Sequence, residues 1–369
     1  MNPGLVVKLR PTGPWRIGPD SGARNRVDAV YHSDSLYAAV CSAMARFGQL
    51  DDWLDATARH RAPAVAFSSC FPFVEETRFI APPRTIWPPT APALLSARVR
   101  WKAARFVPLE VVEALLAGQG LDDNRWTVDG PSECLLPAGV HGGPVRAAVR
   151  WSAAVDRLSG ASERHSTACM EFRPGAGMWT LAAFADDAAR DQWAGPVKAA
   201  FRWLADAGLG GERSRGWGRA ESPEFTEGTL PDLIVKPQAG KAVSPSAPAQ
   251  TEGEAAPAPE AEPQSEPVVL PAPAPAANGS HSHWLLSLFT PAASDSVDWS
   301  RGNYTLLART GRIEGSGELK KHLQMVSEGS VLHAAEAPRG AAPDVAPDGF
   351  AHPVYRAGFA VSIPLPEAV

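Results

Sequence analysis

A segment rich in proline and alanine, from Pro237 to Ala277, divides this chain of 369 residues. It holds ten prolines and twelve alanines in 41 residues, and it has no aromatic residue. Such a segment cannot bury enough apolar surface to offset the entropy lost on ordering. We therefore predict a disordered linker over 237–280. It separates a larger N-terminal domain, residues 1–230, from a smaller C-terminal domain, residues 281–369.

The linker also changes what the net charge of the protein means. It contains five Glu and one Lys, so it carries −4 of the formal charge of −5. The remaining −1 belongs to the folded parts. A nearly neutral domain can still present a basic stripe on one face, which is the electrostatic requirement for binding a nucleic acid.

The compartment is predicted from apolar runs and cysteines. No stretch approaches the roughly 18 consecutive apolar residues of a membrane-spanning helix, and the first ten residues read as a strand rather than a secretory signal. Cys41, Cys70, Cys134 and Cys169 lack the close spacing of a zinc site. We interpret them as reduced thiols of a cytoplasmic protein and expect no metal.

The apolar pattern predicts an α+β fold for the N-terminal domain. In chain order it indicates a strand Leu5–Arg10, a helix from Ser33 or Ser35 to Phe47, a strand Ala64–Val74, a strand Met178–Phe184, a helix Ala188–Ala207 and a strand Trp217–Phe225. This order is typical of a ferredoxin-like domain. An insertion over about 80–177, with one predicted helix at Leu109–Ala117, interrupts it.

The C-terminal domain reads as smaller and rich in strands. Strands are predicted at Trp284–Phe289, Asn303–Ala308 and Tyr355–Pro364, with a short helix at Glu318–Met325. We find no clean internal repeat, although two diverged ferredoxin-like halves would show none.

The strongest local motif is a glycine-rich loop, Gly208–Arg219, with five glycines and three arginines in twelve residues. Glycines allow positive φ and close approach to a ligand, and successive amides can form an anion-binding nest. The arginines add phosphate donors, and Trp217 offers a face on which a base can stack. The alternative is a structural hairpin with solvated arginines.

A second motif, Tyr31–Tyr37, lies at the predicted start of the first helix. Ser33, Asp34 and Ser35 suit a helix N-terminus, which is also an anion site, and His32 is a candidate general base. The alternative is a capping cluster beside a structural histidine.

Two further segments lie in the insertion. Val155–Gly160 reads as a turn with an Asp-Arg pair. Arg98–Phe106 contains Arg and Lys side chains, which can bind phosphate, together with a tryptophan. The alternation of charged and apolar residues in a half-exposed strand explains this segment equally well. No His-Asp dipeptide and no Gly-Gly-Asp-Asp sequence occurs, which argues against an HD nuclease or a cyclase-type polymerase.

Taken together, these motifs resemble one family, the fourth Csm subunit of type III-A CRISPR effector complexes, in the RAMP superfamily. The segments that carry the resemblance, in the order of that family, are His32–Leu36, Val155–Gly160, Gly210–Gly218, Leu306–Gly311, Ser327–Ser330 and His352–Gly358. The glycine-rich loop alone indicates only a RAMP protein, and the Pro/Ala linker departs from the usual pattern of the family.

The resemblance implies two ferredoxin-like, RRM-related domains and a non-catalytic subunit without cofactor. Such a subunit binds the repeat-derived 5′ handle of the crRNA, and it contacts the large polymerase/nuclease subunit and the backbone RAMP subunits. A hairpin thumb from the insertion would wedge against the guide. The residues we expect at the RNA are Lys8, Arg10, His32, Ser33, Asp34, Arg157, Gly210, Gly211, Arg213, Ser214, Arg215, Gly216, Trp217 and Arg219.

Two other functions remain open on sequence alone. One is a guide-processing endoribonuclease of the same superfamily, with His32 as general base. The other is the equivalent subunit of a type III-B or type I complex. The segments Ser327–Ser330 and His352–Tyr355 favour the handle-binding subunit.

Overall fold

The computed structural model describes residues 2–19, 22–89, 101–235, 280–313 and 315–366. Residues 237–279 of the predicted linker lie outside the described residues, as do the first three residues of the segment Arg98–Phe106. Within the described part of the chain, no helix is long and apolar enough to cross a membrane.

The elements follow in chain order. The strands before the linker are β1 (Asn2–Leu9), β2 (Val65–Phe67), β3 (Phe71–Val74), β4 (Thr77–Ile80), β5 (Val107–Pro108), β6 (Trp126–Asp129), β7 (Cys134–Pro137), β8 (Val145–Val155), β9 (Ser162–Phe172), β10 (Ala176–Phe184) and β11 (Glu224–Leu230). The α-helices are α1 (Ser33–Arg46), α2 (Leu50–Ala56), α3 (Leu109–Leu116) and α4 (Asp187–Ala207). The strands after the linker are β12 (His281–Leu285), β13 (Val297–Asn303), β14 (Leu306–Arg309), β15 (Leu323–Val326), β16 (Val331–Ala334), β17 (Gly340–Ala341), β18 (Gly358–Phe359) and β19 (Ser362–Pro364).

The N-terminal sheet is antiparallel, with the order β11–β1–β10–β3–β4–β5, and β2 also pairs with β10. If β2 and β3 are counted as one broken strand, the four strands of the unit in chain order are β1, β2/β3, β10 and β11. Their order across the sheet is then fourth, first, third, second. Helix α1 leads from the first strand to the second, and α4 from the third to the fourth. This is the topology of a ferredoxin-like unit, so the predicted α+β class is confirmed.

The two framing helices bury the apolar stripes that the sequence predicts. In α1, Leu36 and Val40 are fully buried, and in α4 Trp193, Val197 and Leu204 are buried at helical spacing. Burial of a large apolar side chain stabilises the fold by roughly 1.5–3 kcal/mol. The hydrophobic pattern therefore fixes both helices against the sheet.

The predicted strand Ala64–Val74 is broken at Ser68 and Ser69. The Ser68 hydroxyl accepts a hydrogen bond from the Leu181 amide at 2.9 Å. The Ser69 amide donates to the Leu286 carbonyl, in the C-terminal part, at 2.9 Å. Because these partners replace the regular ladder, the strand divides into β2 and β3.

The last strand of the N-terminal sheet also begins later than predicted. It starts at Glu224 rather than Trp217. Gly216 and Gly218 adopt φ of +80° and +82°. This left-handed conformation, which glycine tolerates, is incompatible with a strand at these residues. The chain reaches the sheet only after this turn.

The C-terminal sheet has the order β13–β16–β12–β19, and all of its pairs are antiparallel. Numbered along the chain, β12, β13, β16 and β19 are the first to fourth strands of this sheet, so their order across it is second, third, first, fourth. Read from the opposite edge, this is the same order as in the N-terminal sheet, which is the ferredoxin-like order. Across the described residues 280–313 and 315–366 the connections are loops and the short ladders β14–β15 and β17–β18 rather than helices.

The predicted short helix at Glu318–Met325 is therefore wrong. Leu323 and Met325 belong to β15, and Met325 is paired with Leu307 of β14. A short apolar run is compatible with either periodicity, and here the neighbouring strand decides in favour of the extended form.

The two parts share one continuous hydrophobic core. The Trp284 indole donates a hydrogen bond to the Ala81 carbonyl at 3.0 Å. The rings of Tyr37 and Phe359 meet edge to face, with their centroids 5.6 Å apart. The parts are therefore packed against each other through buried side chains.

The insertion contributes a long hairpin of β8 and β9. Eleven residue pairs run from Val145 opposite Phe172 to Val155 opposite Ser162, so the arm is about 35 Å long at roughly 3.3 Å a residue. The turn predicted within Val155–Gly160 lies at its tip. In the described part of the segment Arg98–Phe106, Trp101 is buried and stacks on Trp87, with the ring centroids 6.1 Å apart.

Candidate nucleic-acid interface

The glycine-rich loop, Gly208–Arg219, joins α4 to the last strand of the N-terminal sheet. Four of its glycines adopt positive φ. A Cβ atom on Gly210 would lie 2.3 Å from the Arg16 carbonyl oxygen, and one on Gly218 would lie 2.1 Å from that of Leu209. Any larger residue would clash with backbone, so these glycines are required by packing within the protein.

The amides of the loop are largely used inside the protein. The Gly211 amide donates to the Arg16 carbonyl at 2.8 Å, and the Gly218 amide donates to Pro14 at 3.0 Å. The Leu209 amide donates to Gly218 at 2.9 Å. The expectation of an anion nest built from successive amides is wrong for these three groups, because a donor bonded to a carbonyl does not serve a phosphate.

The side chains of the loop point in different directions. Arg213 is half-buried and lines a cleft described below. Arg215 is exposed, pairs with Glu212 at 3.2 Å, and reaches Ser152 and His165 on the hairpin at 3.4 and 3.5 Å. Ser214 and Arg219 are exposed, and Gly216 and Trp217 are half-buried. The loop therefore links the cleft to the half of the hairpin nearer its tip.

The cleft lies between α1, the glycine-rich loop and two loops of the C-terminal part, and it has a volume of about 1050 Å³. We call it the basic cleft. Its basic lining residues are Arg59, Arg213, Arg309, Arg312, Lys320 and Arg356, whereas its acidic ones are Asp34 and Asp51. The excess of cations gives it a positive potential in the region predicted to bind RNA.

Its floor is a buried ion cluster centred on Asp34. The carboxylate accepts from the Arg309 guanidinium at 2.9 and 3.1 Å and also from Arg356. All three side chains are buried. Burial alone would raise the pKa of Asp34, but the charges of Arg309 and Arg356 outweigh it and lower that pKa to about 2. Asp34 thus joins the N-terminal helix to the C-terminal part.

His32 lies beside this cluster and is 2% exposed. Its Nδ1 is 2.7 Å from Glu328 and its Nε2 is 3.2 Å from Asp28. Burial would lower the pKa of His32, but the two carboxylates raise it to about 9. Both ring nitrogens face carboxylates, which stabilise the imidazolium. A protonated imidazole is unable to act as a general base.

Ser33 is also turned inward. Its amide donates to the Ser69 hydroxyl at 2.9 Å, and its own hydroxyl accepts from the Leu288 amide at 3.0 Å. Neither Ser33 nor Ser35 caps the helix through its side chain, since the residue before the helix is His32 and no side-chain cap is formed. The expectation that His32, Ser33 and Asp34 touch RNA is corrected: they are buried and hold the two parts together.

The remaining predicted residues lie apart from the cleft. Lys8 pairs with Glu76 at 3.1 Å and Arg10 with Glu224 at 2.7 Å, and both cations lie over the Phe73 ring. Lys8 belongs to β1, and Arg10 follows the end of that strand. Arg157 is exposed at the tip of the hairpin. The structure therefore brings together Gly210 and Arg213, places Arg215 at the hairpin, and leaves Lys8, Arg10 and Arg157 elsewhere.

Sequence reasoning missed the C-terminal wall of the cleft. Arg309, Arg312, Lys320 and Arg356 were not among the predicted site residues. The segments Leu306–Gly311 and His352–Gly358, which carry the family resemblance, contain two of the four, so that resemblance was the signal that could have found them.

Comparisons with known proteins agree with this fold. Residues 278–365 match the model of the CRISPR Csm4 C-terminal domain. A search of curated protein sequences finds no match. The chain is similar to one in a crystal structure of a Csm3–Csm4 subcomplex of the type III-A CRISPR-Cas interference complex, with 14% identity, a TM-score of 0.58 and 99% of each chain covered. It is also similar to one in a Csm1–Csm4 cassette in complex with cA4, with 17% identity, a TM-score of 0.53, and 99% of this chain and 98% of that chain covered.

Proposed function

We propose that this chain, which carries a Csm4 C-terminal domain at residues 278–365 and has the Csm4 fold along its length, binds the 5′ handle of a crRNA in the basic cleft. It would do so as a non-catalytic subunit of a type III-A CRISPR-Cas complex in the cytoplasm. Its partners would be the large polymerase/nuclease subunit and the backbone RAMP subunits. The observation that carries the proposal is the basic cleft bounded by the glycine-rich loop.

The charges of the cleft support a single-stranded RNA ligand. Single strands bind in grooves whose cations follow the phosphates. Arg312 is exposed and Lys320 half-buried on one wall, and Arg213 lies on the other. On the floor, Asp34 shares its one negative charge between two arginines, so the buried cluster retains a net positive charge.

The route out of the cleft supports continuation of the RNA along the hairpin. Arg213 lines the cleft, and Arg215, two residues later, contacts the hairpin residues Ser152 and His165. The same face of the hairpin presents Arg146 and Arg150. A strand that leaves the cleft across the loop therefore meets further phosphate donors.

The assignment as a non-catalytic subunit rests on His32. It is the candidate base of the endoribonuclease alternative, and it is buried and protonated between Glu328 and Asp28. Metal-independent RNA cleavage needs a group that accepts the proton of the attacking hydroxyl. His32 has no such role in this geometry, so the proposed function is binding.

The test is RNA affinity as a function of salt. Replacing Arg213, Arg215 and Arg219 together by Ala should weaken binding of a single-stranded repeat RNA. It should also lower the slope of log K against log salt by about 2, at roughly 0.7 for each lost phosphate contact. Filter binding at several salt concentrations measures both quantities.

The matched control removes the same charge elsewhere. Arg202 and Arg339 are exposed, Arg190 is half-buried, and all three lie outside the lining of the cleft, so their triple replacement by Ala should leave the slope nearly unchanged. If the two triple variants lower the affinity equally, binding is a general charge effect. If neither lowers it, the cleft is not the RNA site.

A further inference from the structure

The edge strand of the C-terminal sheet, β13, contains an irregular bulge. Asp298 is paired with His333 and Asn303 with Val331, so β13 advances five residues while β16 advances two. The three extra residues leave the regular ladder, and residues 299–301 are all exposed. Bulges at the edges of sheets redirect side chains and often lie beside functional sites.

The bulge presents a pair of exposed aromatic rings, Trp299 and Tyr304, which we call the aromatic platform. The two rings meet edge to face with their centroids 5.3 Å apart, and the residues are 38% and 37% exposed. A Cβ atom on Gly302 would lie 3.0 Å from the Tyr304 ring, so the glycine lets this ring pack close to the backbone. Exposed aromatic rings held in place offer faces on which a nucleobase can stack.

Two exposed arginines lie near the platform. Arg301 is in the bulge, and the backbone of Arg84 lies beside the end of β13, where the Asn303 side chain donates to the Arg84 carbonyl at 3.2 Å. In the part of the chain that the structure describes, neither guanidinium forms a hydrogen bond or an ion pair. Asp298, the one acidic residue of β13, accepts from the amide and hydroxyl of Ser300 at 3.1 and 2.6 Å. Both guanidinium groups are therefore available to an anion.

A single-stranded nucleic acid matches this chemistry. Guanidinium groups bind phosphates through charge-assisted hydrogen bonds, and bases of any sequence stack on aromatic side chains. Addition of a strand from another protein needs a regular row of free amides and carbonyls along the edge. The bulge interrupts that row, so the surface is better suited to RNA than to strand addition.

The platform is connected to the basic cleft through β14. Tyr304 precedes Arg309 by five residues, and Arg309 lies in the floor of the cleft. The chain between them therefore spans no more than about 18 Å, even if fully extended. A single strand bound in the cleft needs only a short additional stretch to reach the platform.

We infer that Trp299 and Tyr304 bind a base of single-stranded RNA by stacking, while Arg84 and Arg301 bind the adjoining phosphates. This is a second RNA contact, outside the residues that line the basic cleft. The inference rests on the proposed function, because the RNA held in the cleft is the one that reaches the platform.

The test compares variants of the full chain for binding of a single-stranded repeat RNA. The aromatic variant carries Trp299→Ala and Tyr304→Ala, and the arginine variant carries Arg84→Ala and Arg301→Ala. The matched control is Phe47→Ala, because Phe47 is also 38% exposed and lies outside the lining of the cleft. Filter binding at several salt concentrations gives the affinity and the salt slope, and circular dichroism checks folding.

The aromatic variant should bind RNA about tenfold more weakly, which corresponds to about 1.4 kcal/mol and to the loss of one stacked base. Its salt slope should stay unchanged, since no cation is removed. The arginine variant should lower the slope by about 1.4, at roughly 0.7 for each phosphate contact. Phe47→Ala should change neither quantity.

A second measurement uses the wild-type chain and does not depend on a variant that folds. Repeat RNA that contains 5-iodouridine should crosslink under ultraviolet light to the tryptic peptide Gly302–Arg309, which contains Tyr304. The crosslink should disappear when unmodified repeat RNA is added in excess.

Three results would overturn the inference. The first is full RNA affinity in the aromatic variant together with no crosslink at Gly302–Arg309. The second is an equal loss of affinity in Phe47→Ala. The third is a wild-type dimer in sedimentation that the aromatic variant abolishes, since the platform then binds a second copy. If wild-type RNA binding still depends on Arg213, Arg215 and Arg219, the proposed function stands without the platform; a wild-type chain that binds no RNA would refute that function itself.

Discussion

Raising the pH should weaken the junction between the two parts of the protein through His32. In the folded state its imidazolium lies 2.7 Å from Glu328 and 3.2 Å from Asp28. Glu328 comes from the C-terminal part, and the other two residues come from the N-terminal part. Deprotonation of His32 therefore removes a buried charge pair that spans the junction.

The magnitude follows from the pKa of His32. Burial would lower this pKa, but the carboxylates of Glu328 and Asp28 raise it from 6.5 to about 9. The stabilisation is therefore complete below pH 6.5 and is lost as the pH rises through 9. At 1.36 kcal/mol for each pH unit, it amounts to about 3 kcal/mol in total. About 2 kcal/mol of that should be lost between pH 6 and pH 8.5.

Urea unfolding followed by tryptophan fluorescence at pH 6, 7.5 and 8.5 measures this loss. The thiols of Cys41, Cys70 and Cys134 add a smaller loss near pH 8.5, because burial raises each folded pKa to about 12 and they begin to ionise only in the unfolded state; a variant that keeps these thiols and lacks the His32 charge pair separates the two effects. The control is the double variant His32→Gln/Glu328→Gln, which keeps polar groups and removes both charges. If the wild type shows no loss, or the double variant shows the same loss, the assignment of the proton to His32 is refuted.

Two further predictions concern the cluster and the chemistry. Asp34→Asn should lower the free energy of unfolding by about 3–5 kcal/mol, because it leaves buried Arg309 and Arg356 without their counter-ion. Asp51→Asn, in an exposed pair with Arg59, should change it by about 0.5 kcal/mol or less; equal effects in urea unfolding would contradict the difference in burial. The purified chain should not cleave end-labelled repeat RNA with or without divalent metal, and a cut that disappears in His32→Gln would establish the endoribonuclease instead.

The candidate site was only partly predictable from the sequence. The loop Gly208–Arg219 was identified because glycines and arginines in close sequence indicate a turn that presents cations. Its amides were misjudged, since their partners Arg16 and Pro14 lie some two hundred residues away in the chain. His32 and Asp34 have residue types suited to RNA contact, but their burial depends on Glu328, Arg309 and Arg356.

The sequence by itself determined the elements whose signal is local. The stripes of α1 and α4, the extended apolar run of β1 and the position of the glycine-rich turn follow from side-chain periodicity and from backbone freedom, which act over a few residues. The tertiary structure alone decided the rest: the break at Ser68, the extended form of β15, the ion cluster around Asp34 and the basic cleft. Each of these depends on contacts between residues more than ten positions apart, and most join the two sides of the Pro/Ala segment. Periodicity within one segment contains no information about which distant segment will supply its hydrogen bonds and charges.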